Sequence, residues 1–329
     1  MKKYISVLVT IVLTSLLLVG CSGQSSEPQP KAEETAKAPQ VESIKISYVK
    51  LPLNVPSIVE KKLNLFEKEF GKDGIQVTFP EITEGPKMTA ALAGGSLDFC
   101  NALGGTSAIL AAANGVDLKI IGMYSRAPKA FTIMTKNPQI KSVADLKGKK
   151  VAGPKGTILH QLLLASLQQN NLKPEEVEYI NMPIPSAVSA MQAGNVDAAL
   201  IAGPAVPQAL QSGARILTTG EGLLDATIVI AVSGDFLEKH PELVKRYLQV
   251  HQESLRYMQE NPEEVYRLAA EETGISLGDV KQMYDWYDFN PAITEKDLID
   301  LEKTQEFLIQ NEMLTNKVDI KSLIADIKA

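Results

Sequence analysis

Residues 91–98 read ALAGGSLD, and 99 positions later residues 190–197 read AMQAGNVD. Ala91 falls on Ala190, Leu92 on Met191, Gly95 on Gly194, Leu97 on Val196 and Asp98 on Asp197. Each copy reads as a helix end closed by glycine, an Asp, an apolar strand, and a further glycine at Gly104 or Gly203. A spacing this long is not a solenoid period. It is the signature of two similar α/β lobes in one chain. Two facing lobes make a cleft, and closing a cleft on a solute is the simplest use of that geometry.

Around the first copy, Ser43–Val49 alternates polar and apolar residues, and Ile58–Phe70 carries apolar residues at helical spacing. Ile75–Phe79 is the next strand, and Pro86–Ala93 the helix that enters the repeat. A small-residue helix, Thr106–Asn114, precedes strands at Leu118–Tyr124 and Ala130–Thr135. The β-α-β-α-β order predicts a doubly wound, mostly parallel sheet. Lys149–Ala152, Thr157–Asn170, Glu176–Asn181 and Ser186–Ala193 repeat that alternation up to the second copy, and Arg215–Thr218 ends the unit. Ala226–Val232 reads as a strand returning to the first lobe. Phe236–Asn261 and the rest are helical, punctuated by Pro241, Pro262 and Pro291. The chain then crosses between lobes near Arg126–Phe131 and Glu221–Ala226, a two-strand hinge. The predicted organisation is lobe one at 43–128, lobe two at 129–224, and a return to lobe one with a helical tail at 225–329.

Lys2 and Lys3 precede Ile5–Gly20, sixteen residues without charge. This is the layout of a secretory signal, and it falls short of the ~20 residues a spanning helix needs. Leu18-Val19-Gly20-Cys21 resembles a bacterial lipobox, which implies cleavage after residue 20 and diacylglycerol on Cys21. Residues 21–42 are rich in Ser, Gln, Pro, Glu and Lys, and read as a tether. The exported chain carries 31 Lys+Arg against 39 Asp+Glu, a formal −8, with no basic run to suit nucleic acid. With Cys21 lipidated, Cys100 has no disulfide partner, and its apolar strand marks it as a buried, inert thiol.

Ligands of open α/β sheets bind beyond the carboxyl ends of strands, against the helices that follow. Two such turns stand out: Gly104-Gly105-Thr106-Ser107 in lobe one, and Gly153-Pro154-Lys155-Gly156-Thr157 in the same place in lobe two. Each offers backbone N–H groups, a hydroxyl and the positive end of a helix, which together suit an oxyanion. Thr106 and Thr157 equally suit plain helix caps. Lys155 would add a full charge. Gly148 and Gly153 have phosphate-loop spacing, but Pro154 stands where lysine is required, so nucleotide hydrolysis is not supported. His240 and His251 lie in polar helical sequence and read as solvated. His160, one turn into the lobe-two helix, reads as a ligand donor or as a side chain packed between the lobes. No set of residues has metal-ligand spacing, and no cofactor is expected. Residues 284–289 (YDWYDF) hold the only tryptophan, as core packing or as a wall over the cleft. Tyr48, ending the first strand, is placed to touch ligand.

Residues 83–115, 142–172 and 196–210 resemble the sulfonate/nitrate/taurine-type substrate-binding lipoproteins of ABC importers. The most specific part is DLKGKKVAGPKGTILHQLL, residues 145–163, in which Thr157 takes a serine position and His160 matches a histidine. The resemblance implies a type II periplasmic-binding-protein fold with ligand between two doubly wound lobes. It also implies contacts from the loop after the first strand (Tyr48, Leu53, Asn54), from Gly105-Thr106-Ser107 and from Gly156-Thr157. Lys155, His160 and Gly203 complete the candidate set. One departure is Ala202-Gly203-Pro204, where the family often carries Trp-Asp/Glu-Pro; this leaves room for a bulkier organic group.

The leading expectation is a monomeric, membrane-tethered receptor, extracytoplasmic, that delivers a small anionic organic solute to a permease and its ATPase. The alternatives are a binder of a neutral heterocyclic vitamin precursor, an enzyme of the related pyrimidine-precursor type using His160, and a receptor that signals through a partner.

Overall fold

The computed structural model describes residues 41–49 and 53–327. The signal segment, Cys21 and nearly all of the tether lie outside them. The first half-chain supplies β1 (Ser43–Lys45), α1 (Val55–Lys62), α2 (Leu65–Phe70), β2 (Gln76–Thr78), α3 (Gly85–Ala93), β3 (Phe99–Gly104), α4 (Gly105–Ala113) and β4 (Leu118–Arg126). β5 (Phe131–Thr135), β6 (Lys150–Gly153), α5 (Ile158–Gln169), β7 (Glu178–Asn181), α6 (Ile184–Gln192), β8 (Ala198–Ala202), α7 (Ala205–Gln211) and β9 (Arg215–Thr219) follow. β10 (Thr227–Ser233) leads into α8 (Gly234–Lys239), α9 (Pro241–Glu260), α10 (Pro262–Thr273), α11 (Leu277–Tyr284), α12 (Glu295–Gln310) and α13 (Ile320–Leu323).

The strands make two arrangements of one pattern. β7-β6-β8-β5-β9 is a continuous sheet. β2-β1 and β3-β10-β4 are joined by a parallel bridge between Ile46 and Phe99, so they repeat that order. β5 and β10 are the strands that have changed sheets, and each runs antiparallel to both its neighbours. The expected parallel order therefore holds only for the strands native to each lobe. A chain arriving through a hinge enters the other sheet from the opposite direction.

The repeated Asp is the joint of each lobe. Asp98 accepts the Lys45 amide at 2.8 Å and Asp197 accepts the Lys150 amide at 3.0 Å. In both lobes the Asp backbone N–H returns a bond to the same lysine's carbonyl at 2.9 Å. Gly95 (φ 69°) and Gly194 (φ 74°) hold the left-handed turns that make these bonds possible. The repeat is thus structural, pinning the third strand of each lobe to the first.

Three differences from the predicted elements have local causes. The helix expected over 58–70 starts at Val55 and breaks at Asn64 (φ 52°), giving α1 and α2. The long helix expected over 236–261 is interrupted at His240, ahead of Pro241. β3 carries a bulge opposite Val229–Ala231, with Ala102 in the left-handed region at φ 61°. That conformation costs a non-glycine residue roughly 1–2 kcal/mol, and it places Ala102 on the wall of the cleft.

His240 and His251 are buried rather than solvated. His251 Nδ1 lies 2.7 Å from Glu60 Oε1, deep in lobe one, where Asn101 and Ser254 also donate to the carboxylate. Polar residues on a helix read as surface; here His251 and Glu60 are hydrogen-bonded to one another inside. Cys100 is buried as expected, and burial pushes its thiol up to about 12.

Candidate functional site

The site grows from helix starts. α3, α4, α5 and α6 each open at the carboxyl end of a strand or of the turn after it, and residues from all four N-terminal turns line one cavity of about 90 Å³ between the lobes. Lobe one contributes Gly85, Gly104 and Ser107; lobe two contributes Thr157, Ile158, Ile184 and Pro185. The first N–H groups of a helix have no acceptor within it, and each N-terminus carries the equivalent of roughly half a positive charge. Met88, Ala102, Phe131, Leu159, Ala202 and Ile228 make the rest of the wall largely apolar. One carboxylate reaches the lining, Glu84, and Lys87 holds it at 2.6 Å. The arrangement suits a small anionic head joined to a carbon group.

Two glycines allow this convergence. A Cβ on Gly85 would stand 2.2 Å from Ser107 Oγ, so only glycine lets α3 approach the start of α4. A Cβ on Gly153 would stand 2.5 Å from Leu200 Cβ, so the strand before α5 must also lack a side chain.

The two turns singled out in the sequence face each other, but they are not in the same place. Gly104–Ser107 follows the third strand of its lobe, whereas Gly153–Thr157 follows the first. The topological counterpart of α4 is α7. Across the gap, Ser107 Oγ donates to the Gly156 carbonyl at 2.8 Å. Thr106 Oγ1 donates to Gln161 Oε1 at 2.6 Å, and Gln161 Nε2 reaches Thr304 on α12 at 3.2 Å. The lobes are therefore closed on each other. Thr157 Oγ1 donates to the Pro154 carbonyl at 2.8 Å and makes no side-chain cap to its own helix.

Of the candidate residues, Ser107 and Thr157 line the cavity, and Gly105, Thr106 and Gly156 belong to the turns that form it. The others lie elsewhere. The Lys155 side chain is exposed outside the lining, and only its amide is engaged, to Asn181 Oδ1. Tyr48 is buried with its hydroxyl donated to Glu272 at 2.9 Å; burial first, and then that carboxylate, hold the phenol protonated. Leu53 gives its N–H to the Tyr287 hydroxyl at 3.0 Å, and Asn54 turns its amide to the Val49 carbonyl. Gly203 (φ 57°) gives its N–H to the Ala130 carbonyl, leaving Ala202 as the wall.

His160 stacks on Tyr179 with ring centroids 4.6 Å apart, and the Tyr179 hydroxyl donates to the Gly153 carbonyl at 2.6 Å. Burial, helped by Lys155, lowers its pKa to about 4. It is a neutral packing residue of lobe two and does not line the cavity. Among the described residues no group of three or more His, Cys, Asp or Glu is arranged to hold a metal ion.

Sequence reading missed Gly85 and Ile184-Pro185. Their signal was present: position 184 lies 99 residues after 85, the same offset as the repeat, so one helix start implied the other. Trp286 packs against the lobe-two cluster of Met134, Ala187 and Val206 as well as the main core. It spans the two lobes but does not line the cavity.

An Escherichia coli (strain K12) relative, named provisionally as an aliphatic sulfonates-binding protein, is 29% identical over 324 residues, 96% of each chain. The taurine-binding periplasmic protein of the same strain is 32% identical over 196 residues, 58% of this chain and 59% of its own. The crystal structure of the periplasmic aliphatic sulphonate binding protein SsuA from Escherichia coli superposes with a TM-score of 0.73 at 29% identity, covering 87% of this chain and 93% of that one. The fold is the type II periplasmic-binding fold that the sequence resemblance implied. The NMT1/THI5-like family profile matches residues 55–265, well over half of the chain, and the chain belongs to that family.

Proposed function

We propose that this chain is the solute-binding component of an ABC importer, and that it captures a small organic anion of the sulfonate class between its lobes. The observation that carries the reading is the meeting of four helix N-termini, drawn from both lobes, on one largely apolar cavity. Backbone amides at the helix starts hold the acid group, and the apolar wall takes the carbon adjoining it; the Ser107 and Thr157 hydroxyls, whose protons go to the Gly156 and Pro154 carbonyls, brace the turns that present those amides. Charge-assisted hydrogen bonds contribute about 1.5–3 kcal/mol each. Micromolar affinity needs about 8 kcal/mol, so three or four such bonds with some apolar burial suffice without a cationic side chain.

The relatives' names support the ligand class and an extracytoplasmic setting. A signal-like segment at 1–20 and the lipobox-like Cys21 support membrane tethering through lipid, with a permease and ATPase as partners. The enzyme alternative is less well supported, because His160 stacks on Tyr179 and is not among the residues that line the cavity. Isothermal titration against ethanesulfonate, taurine, nitrate and a neutral pyrimidine tests the reading. Saturable 1:1 binding of a sulfonate is expected; binding of the pyrimidine with none of the anions would overturn it.

A further inference from the structure

The third strands of the two lobes differ at one point. On β3, Leu103 stands opposite Val229 and Cys100 opposite Ala231, so Asn101 and Ala102 together face Ile230. A bulge takes the backbone groups of its extra residue off the ladder, and unpaired groups are costly to bury. Here one side chain serves both. The buried Ser47 hydroxyl accepts the Asn101 N–H at 2.9 Å and donates to the Asn101 carbonyl at 3.0 Å. The Asn101 side-chain amide donates to Ser57 Oγ at 3.0 Å and to Glu60 Oε2 at 3.1 Å, both on α1.

The matching residues of lobe two are apolar. The Asp bonds set Lys45 against Lys150, so Ser47 corresponds to Ala152, and the 99-residue offset sets Asn101 against Leu200. There β8 pairs with β5 residue for residue from Ala198 to Ala202. The polar pair and the bulge occur together in one lobe, and an apolar pair with a regular ladder in the other.

The bulge decides which side chain meets the cavity. Phe99 packs toward α1 and α9, whereas Cys100 and Leu103 pack toward α3 and α4, and Ala102 turns to the cavity. Side chains alternate along a regular strand, and a slip of one residue exchanges the faces. Without the bulge Leu103 would stand opposite Ile228, where Gly104 now lines the cavity. That place is narrow: even a Cβ on Gly104 would stand 3.2 Å from Ile158 of lobe two. The residue at Leu103's offset in lobe two is Ala202, small enough to line the cavity from a regular strand.

We infer that Ser47 and Asn101 are positioning residues for the solute site: they hold the bulge, and the bulge keeps Leu103 out of the cavity so that the lobes close on a ligand. The inference rests on the cavity being the acid-group site.

Titration with ethanesulfonate beside thermal unfolding tests it in Ser47→Ala, Leu103→Ala and the double variant. Ser47→Ala carries the lobe-two residue and should weaken binding at least about tenfold. Leu103→Ala should melt lower, since it empties core volume, yet bind within about twofold of wild type. The double variant should recover to within about threefold of wild-type affinity while still melting below wild type. A purely structural role moves both readings the same way, so restored affinity in a less stable protein separates the two. If Ser47→Ala does not fold, Ser47→Cys, with its weaker hydrogen bonds, should show the same loss and rescue at smaller size. Wild-type affinity in the Ser47 variants, a double variant no tighter than its Ser47 parent, or failure of both Ser47 variants to fold would overturn the positioning role and leave the acid-group reading intact. Failure of wild type to bind ethanesulfonate would overturn both.

Discussion

α1 and α5 each follow the first strand of their lobe, yet only α5 presents its opening turn to the cavity. Thr157 and Ile158 line it. At α1 the equivalent groups are already served: Leu53 N–H goes to the Tyr287 hydroxyl, and Ser57 N–H to the Tyr124 hydroxyl at 3.1 Å. One phenol comes from β4 and the other from the stretch after α11. Topology places a helix start at the same point in both lobes, but side chains delivered from far along the chain decide whether a ligand can use it. The grip is therefore asymmetric: lobe one holds through α3 and α4, and lobe two through α5 and α6.

The largest expected effect comes from loosening the segment that carries Tyr287. Arg126 and Asp288 exchange backbone hydrogen bonds, and the Arg126 guanidinium makes a two-pronged bond to buried Asp297 at 2.6 Å. Arg126→Ala leaves Asp297 buried without its partner and should cost about 3–5 kcal/mol in denaturant unfolding. Burial pulls the Asp297 carboxyl up, but the Arg126 and Thr294 bonds prevail and its pKa is lowered. Its stabilisation is therefore present at neutral pH and lost as pH falls through the depressed folded value. Arg126→Ala should flatten that acid limb.

Next in size is the α5 side. The pKa of His160 falls from 6.5 to about 4 on folding. Above pH 6.5 this changes nothing; below it the unfolded chain takes up a proton that the folded chain refuses. Stability should fall by up to about 3 kcal/mol between pH 6.5 and 4. His160→Phe should remove most of that slope and leave ligand affinity within about twofold, since His160 does not line the cavity. Loss of binding in His160→Phe would place the residue at the ligand after all.

Tyr124→Phe and Tyr287→Phe test the asymmetry itself. Each leaves a buried amide without its acceptor, Ser57 in the first turn of α1 or Leu53 just before it, and should cost about 1–3 kcal/mol by thermal unfolding. Neither should weaken sulfonate binding. A large affinity loss in either would mean that the α1 turn takes part in the grip. The smallest effect is expected for Ser107→Ala, which removes one interlobe bond and one cavity hydroxyl; a loss of about 1 kcal/mol in binding should appear by titration.

The sequence made the two lobes, the crossings and the cleft legible, because period and glycine placement are local signals. Asp98 and Asp197 stood out for the same reason, although their task is to lock strands. The site was legible in part. Ser107 and Thr157 follow from strand–glycine–helix turns. Tyr48, Leu53, Asn54 and Lys155 were drawn toward the ligand by motif position, but partners more than 200 residues away claim Tyr48 and Leu53, and no local pattern encodes such pairings. His160 was ambiguous because its partner, Tyr179, lies on the neighbouring strand.

The most direct test is crystallographic. Crystals grown with an alkanesulfonate, measured for anomalous scattering from sulfur, should show one ligand sulfur within hydrogen-bonding reach of the first turns of α3, α4 and α5, beside Ser107 and Thr157. A sulfur peak at the start of α1 or at Lys155, with the cavity between the four helix ends empty, would contradict the asymmetric grip.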